Sequence, residues 1–104
     1  IGQHFPENDL EYKDVNSLGL LKYVLNLIDE KHYKCLNLDS VIIAEKPKMS
    51  PYILQMRHNL ALSLNLDITQ VSVKAKTSEG LGIIGREEGI AAQAVVLLQS
   101  KKEQ

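Results

Sequence analysis

The chain contains no tryptophan, one phenylalanine and one cysteine, and aromatic residues make up 5% of it. Cys35 has no partner for an intrachain disulfide, which excludes a disulfide-stapled secreted fold and sets the expectation of a reducing compartment, the cytosol. An excess of charge of one sign is missing too: 12 Lys+Arg stand against 13 Asp+Glu, for a net charge of -1. No broad basic surface is left for a nucleic-acid backbone, so no nucleic-acid partner is expected, and no block of like charge reads as an interaction tail. No apolar run approaches the roughly 20 residues of a membrane helix; the longest, Ala94 to Leu98, reads as a short buried element, and no membrane partner is expected. The opening Ile1-Gly2-Gln3-His4 has neither a starting Met nor a signal-peptide pattern, as expected of a fragment.

What is present fits one globular domain over residues 1–104, with 44% hydrophobic and 24% charged residues. Gly2 to Asn16 shows little apolar periodicity and reads as a long irregular segment. From Ser17, the residues Leu18, Leu21, Leu25 and Ile28 recur at helical spacing, predicting an amphipathic helix that ends near Lys31, capped by Asn16 or Ser17. Leu36 to Ser40 alternates and then runs into Val41-Ile42-Ile43-Ala44, a β-branched stretch suited to a strand buried on both faces. Pro47 ends it, and Ser50-Pro51 offers a cap and a first-turn proline for a second helix that stops at Asn65. Val71 to Lys76 alternates as a second strand and enters a glycine-rich loop from Thr77 to Gly89. Ile90 to Gln99 is ambiguous, since Ala91, Ala92 and Ala94 favour a helix while Val95 and Val96 favour a strand.

Gly80, Gly82 and Gly85 spell the dinucleotide fingerprint after a strand, but the context fails. Only residues 86–104 follow, too few for the crossover helix, second strand and acidic residue of a Rossmann unit. No Walker lysine follows either. Lys74-Ala75-Lys76-Thr77-Ser78-Glu79 gathers ammonium groups, hydroxyls and a carboxylate at a strand's end. Such a set can cradle phosphate oxygens and share a hard cation with them, or serve as an ordinary polar loop; composition alone favours the loop. Ala44 to Ser50, with Lys46 and Lys48 ahead of a helix, presents the same pair of readings, an anion site or a solvated turn. Arg86 before Glu87 and Glu88 could grip an anion or join a surface ion pair. His4, His32 and His58 have no ligand spacing, Cys35 has no visible activating base, and no nucleophile triad is legible.

In order along the chain, Ile1-Gly2, Phe5-Pro6-Glu7-Asn8-Asp9, Ile42 to Met49, Gln55-Met56-Arg57, Val73 to Gly82 and Gly85 to Ala91 resemble the 2-C-methyl-D-erythritol 2,4-cyclodiphosphate synthase family from end to end. The resemblance implies an α+β fold, a mixed β-sheet with helices packed on one face and the last segment as a strand. It also implies a homotrimer with active sites between subunits. Ala44, Pro47, Lys48, Met49, Ser50, Ala75, Lys76 and Thr77 would bind the cytidine and its diphosphate, with Glu45, Lys46 and Ser78 in the same substrate-binding segments. Thr77 would touch the diphosphate and stabilise the transition state, and Glu79 would coordinate Mg2+ or Mn2+ bridging the phosphates. Ile1, Gly2, Phe5, Pro6, Glu7, Asn8 and Asp9 would line the methylerythritol phosphate end, and Ile83 and Arg86 would lie near the trimer's central channel.

The family's zinc ligands are not in this chain, so Zn2+ is expected to depend on an N-terminal part that precedes Ile1. Lys76 stands where some relatives carry Thr, which adds local positive charge, and Glu7-Asn8 replaces the commoner Asp-Thr. The reaction implied uses no protein nucleophile. The 2-phosphate of 4-diphosphocytidyl-2-C-methyl-D-erythritol 2-phosphate attacks the β-phosphorus and CMP leaves, in the cytoplasm of bacteria or a plastid-type organelle. The alternative is a fragment or module that binds cytidine nucleotides, or only assembles, without turnover.

Overall fold

The computed structural model describes residues 17–101. Helix α1 spans Ser17–Glu30, strand β1 Tyr33–Ile43, helix α2 Ile53–Leu64, strand β2 Val71–Lys76 and strand β3 Ala91–Ser100. The three strands form one mixed sheet in the order β2-β1-β3, with β2 parallel and β3 antiparallel to β1. A parallel neighbour requires a crossover, and α2 supplies it between β1 and β2. Because Ala91, Ala92 and Ala94 are paired along β1, the ambiguous last segment is a strand: pairing with a ready edge overrides alanine's helical preference.

Both helices cover one face of the sheet. Leu38 of β1 and Val71 and Val73 of β2 point into a core completed by Ala61 and Leu64 of α2, with Leu21 and Leu25 of α1 packed against it. Val71 is 1% exposed, the deepest of these side chains. At the entrance of β2, the Arg57 guanidinium donates to Val71 O and Ile68 O, both at 2.9 Å, tying α2 to the strand it precedes. Asp67 caps the 3-10 turn Ile68–Gln70 with a reciprocal box: its carboxylate accepts Thr69 N–H, and its own N–H donates to Gln70 Oε1. The opposite sheet face carries the Asp39–Lys74 ion pair and the exposed Val95 and Leu97.

Several boundaries differ from those predicted. Strand β1 starts at Tyr33 rather than Leu36, because its first residues pair with the end of β3 across a register shift between Cys35 and Asn37. The Val41–Ile43 run is half-buried, covered by helices on one face only. Ser50 is not the cap of the second helix: Ser50–Tyr52 is itself a 3-10 turn with Pro51 at its start, Met49 is the capping position, and no side-chain cap bond forms there. Ser17 is already the first residue of α1, and Asn16 lies outside the described residues. The glycine-rich loop holds a four-residue helical turn, Gly82–Gly85. Gly85 packs so closely on the Gly80 backbone that a Cβ would stand 2.1 Å from Gly80 C, so the fingerprint-like glycines close this loop on itself.

Candidate functional site

Parallel pairing carries β1 and β2 to the same sheet edge in step. Ile43 lies opposite Lys76, and the last rung is Ala44 N–H donating to Lys76 O at 3.0 Å. The two loops that follow therefore leave the sheet side by side, at the strand ends where open α/β sheets bind ligands. Between them lies a cavity of about 380 Å3 lined by Ala44, Glu45, Pro47, Lys48, Met49, Ser50, Ala75, Lys76 and Thr77. That volume falls within the ~300–1,000 Å3 range of small-molecule sites. The Lys46–Pro47 peptide bond is cis.

Charge in the cavity is unbalanced. Among the described residues Lys48 and Lys76 have no carboxylate partner, while Lys46 pairs with Glu87 at 3.7 Å outside the lining. Among the described residues the carboxylate in the wall is Glu45, half-buried and already engaged: Ser78 N–H donates to its Oε1 at 2.9 Å, and Ser78 Oγ lies 3.2 Å from the same oxygen. The net field thus favours an anion.

Thr77 and Glu79 form a small unit at the rim. Thr77 Oγ–H donates to Glu79 Oε2 at 3.0 Å, and Glu79 N–H donates back to Thr77 Oγ1 at 3.1 Å. Glu79 takes φ of 57° and Gly80 φ of 76°, so the chain reverses here through left-handed conformations. Glu79 is exposed, and an accessible carboxylate beside hydroxyl and ammonium groups is a donor that suits a hard cation, which typically takes one or two protein carboxylates. Among the described residues no three His, Cys, Asp or Glu side chains converge, so they offer no zinc ligand set.

Of the residues singled out in the sequence, eight nucleotide-site positions and Glu45 share this one wall. Lys46, Ser78 and Glu79 stand beside the lining rather than in it. Ile83 lies apart, in a shallow apolar hollow with Leu81, Ile84 and Ile90, and Arg86 pairs with Glu88 at 3.1 Å. Ile1, Gly2, Phe5, Pro6, Glu7, Asn8 and Asp9 fall outside the described residues. The Glu45–Ser78 link was not legible in the sequence, because its partners are 33 positions apart and meet only through the sheet register.

Comparison with known proteins places this geometry among relatives. The chain is 57% identical over 101 residues to a 2-C-methyl-D-erythritol 2,4-cyclodiphosphate synthase of Geobacillus sp. (strain WCH70), covering 97% of this chain and 64% of that protein. The chain thus spans under two thirds of that relative's length. Among solved structures, the bifunctional IspDF of Campylobacter jejuni superimposes with a TM-score of 0.91 at 37% identity, over 96% of this chain and 27% of that one. The IspF of Plasmodium falciparum, solved as a CDP complex, gives a TM-score of 0.81 at 38% identity, over 98% of this chain and 60% of the other. With the YgbB family model matching residues 1–99, the chain belongs to the YgbB family.

Proposed function

We propose that the protein of which this chain is part converts 4-diphosphocytidyl-2-C-methyl-D-erythritol 2-phosphate to 2-C-methyl-D-erythritol 2,4-cyclodiphosphate with release of CMP. The cavity at the ends of β1 and β2 would hold the cytidine diphosphate end. The observation that carries this reading is the lining itself: two small residues, Ala44 and Ala75, two lysines without carboxylate partners among the described residues, and the Thr77 hydroxyl share one cavity. The naming of the relatives and the CDP bound in the Plasmodium falciparum structure support the same ligand class.

In this reading the small side chains let a base ring approach the backbone of the strand ends. Lys48 and Lys76, both exposed, offset diphosphate charge through solvent, an attraction that salt screens. Thr77 turns its hydroxyl from Glu79 to a phosphate oxygen, and Glu79 is left free as a carboxylate for Mg2+ or Mn2+. Glu79 would hold such a cation, which would supply charge neutralisation at the diphosphate. No protein nucleophile is needed, since the attacking group is the substrate's own phosphate; the chain contributes positioning and electrostatic stabilisation. Active sites between subunits of a homotrimer, in the cytoplasm, complete the proposal. Among the described residues no helix is long and apolar enough to cross a membrane.

The test is Thr77→Ala in the full-length protein, read by CMP release. Loss of one donor to developing charge is expected to lower kcat by ~10²–10³-fold, by analogy with oxyanion-hole deletions, with the melting temperature unchanged. Near-normal turnover would refute the role assigned to Thr77.

A further inference from the structure

We propose that Glu45 is a positioning residue, whose carboxylate holds the Thr77–Glu79 corner in register with the Pro47 turn by fixing the backbone of Ser78. The inference rests on the cavity being the diphosphate site. Beyond the final sheet rung, Ala44 N–H to Lys76 O, the two loops have no further backbone bond to each other among the described residues. Two side-chain links remain. The Lys46–Glu87 pair is loose at 3.7 Å, with side chains 75% and 50% exposed. Glu45 makes the other, with Oε1 accepting from Ser78 N–H at 2.9 Å.

The hydroxyl of Ser78 adds less than its distance suggests. It carries one proton and faces two acceptors, Glu45 Oε1 at 3.2 Å and Leu81 O at 2.8 Å, so it cannot serve both at once. Among the described residues the Ser78 N–H has one acceptor, Glu45 Oε1. It lies between Thr77 and Glu79 in the chain, so the bond that fixes it fixes both neighbours. A carboxylate acceptor makes this bond roughly twice as strong as a neutral one. Binding Ser78 also occupies a negative charge that would otherwise face the ligand's phosphates.

Positioning and plain electrostatics predict opposite outcomes. If Glu45 merely repelled the diphosphate, Glu45→Gln and Glu45→Ala would both tighten CDP binding. If Glu45 holds Ser78, Glu45→Gln keeps an acceptor oxygen and retains most of the activity, while Glu45→Ala releases the corner. Misplacement of a reacting group by about 1 Å can cost ~10²-fold, so Glu45→Ala is expected to lower kcat by ~10–100-fold with KM changed less than ~3-fold. Ser78→Ala keeps the N–H and is expected to show a loss several-fold smaller than Glu45→Ala.

The experiment measures CMP release and amide hydrogen exchange at Ser78 in the full-length wild type and these variants. Support consists of a kcat loss in Glu45→Ala, rescue in Glu45→Gln, and faster Ser78 exchange in the alanine variant alone. Wild-type kcat in Glu45→Ala, or Glu45→Gln as damaged as Glu45→Ala, overturns the inference. If Glu45→Ala does not fold, the Glu45→Gln and Ser78→Ala pair decides: a loss exceeding ~10-fold in either variant overturns it. A wild type that releases no CMP defeats the functional reading itself, an outcome separate from active wild type with indifferent Glu45.

Discussion

Lys76 brings an ammonium group into the wall beside Thr77, with no carboxylate partner among the described residues to offset it. An exposed cation of this kind attracts a diphosphate through water and is screened by salt. Lys76→Thr is expected to weaken CDP binding about two- to five-fold at low ionic strength and to flatten its salt dependence, as titration calorimetry at two salt concentrations would show. Equal affinities at low salt would remove Lys76 from the site. At this scale the sequence is readable where site residues form contiguous runs at strand ends, as in residues 44–50 and 75–77. It is silent where a side chain acts across the sheet: nothing near Glu45 names Ser78, and nothing near Gly85 announces that Gly80 occupies the space of its Cβ.

Elements are legible when one periodicity dominates and misread when caps or pairing decide. The apolar spacing of α1 and the alternation of β2 are visible in the sequence, and both elements end within a residue or so of the expected places. The 3-10 turn at Ile68–Gln70 is less obvious, because it depends on the reciprocal bonding of Asp67 and Gln70. The Thr69 N–H bond holds the Asp67 carboxyl below its ordinary pKa, followed by the Thr69 hydroxyl. A depressed carboxylate contributes stability above its unfolded pKa and loses it as pH falls through the folded one. Stability of the wild type is therefore expected to decline on acidification below about pH 4, and Asp67→Asn to show a shallower decline. Asp67→Ala should lower the melting temperature at neutral pH by more than Asp67→Asn, which keeps an acceptor oxygen. Melting temperatures across a pH series check both; identical slopes for wild type and Asp67→Asn would contradict the cap.

Among the described residues the sheet is asymmetric, one face packed by helices and the other uncovered. Val95 and Leu97 stand 67% and 53% exposed in the middle of β3. Contiguous exposed apolar strand surface in a folded domain marks an interface, and the proposed trimer supplies one. Val95→Glu in the full-length protein is expected to shift the assembly toward monomer in light scattering after size exclusion; an unchanged trimer would place the subunit contact elsewhere. The mixed sheet and its helical layer were legible through the family resemblance, whereas the open face follows from strand order, which no local pattern encodes. The most direct measurement of the central claim is a crystal structure of the full-length protein with CDP. The account predicts the nucleotide between the Pro47 turn and the Thr77–Glu79 corner, with a phosphate oxygen within hydrogen-bond distance of Thr77 Oγ1. CDP bound away from both corners, or a neighbouring subunit filling the cavity, would contradict it.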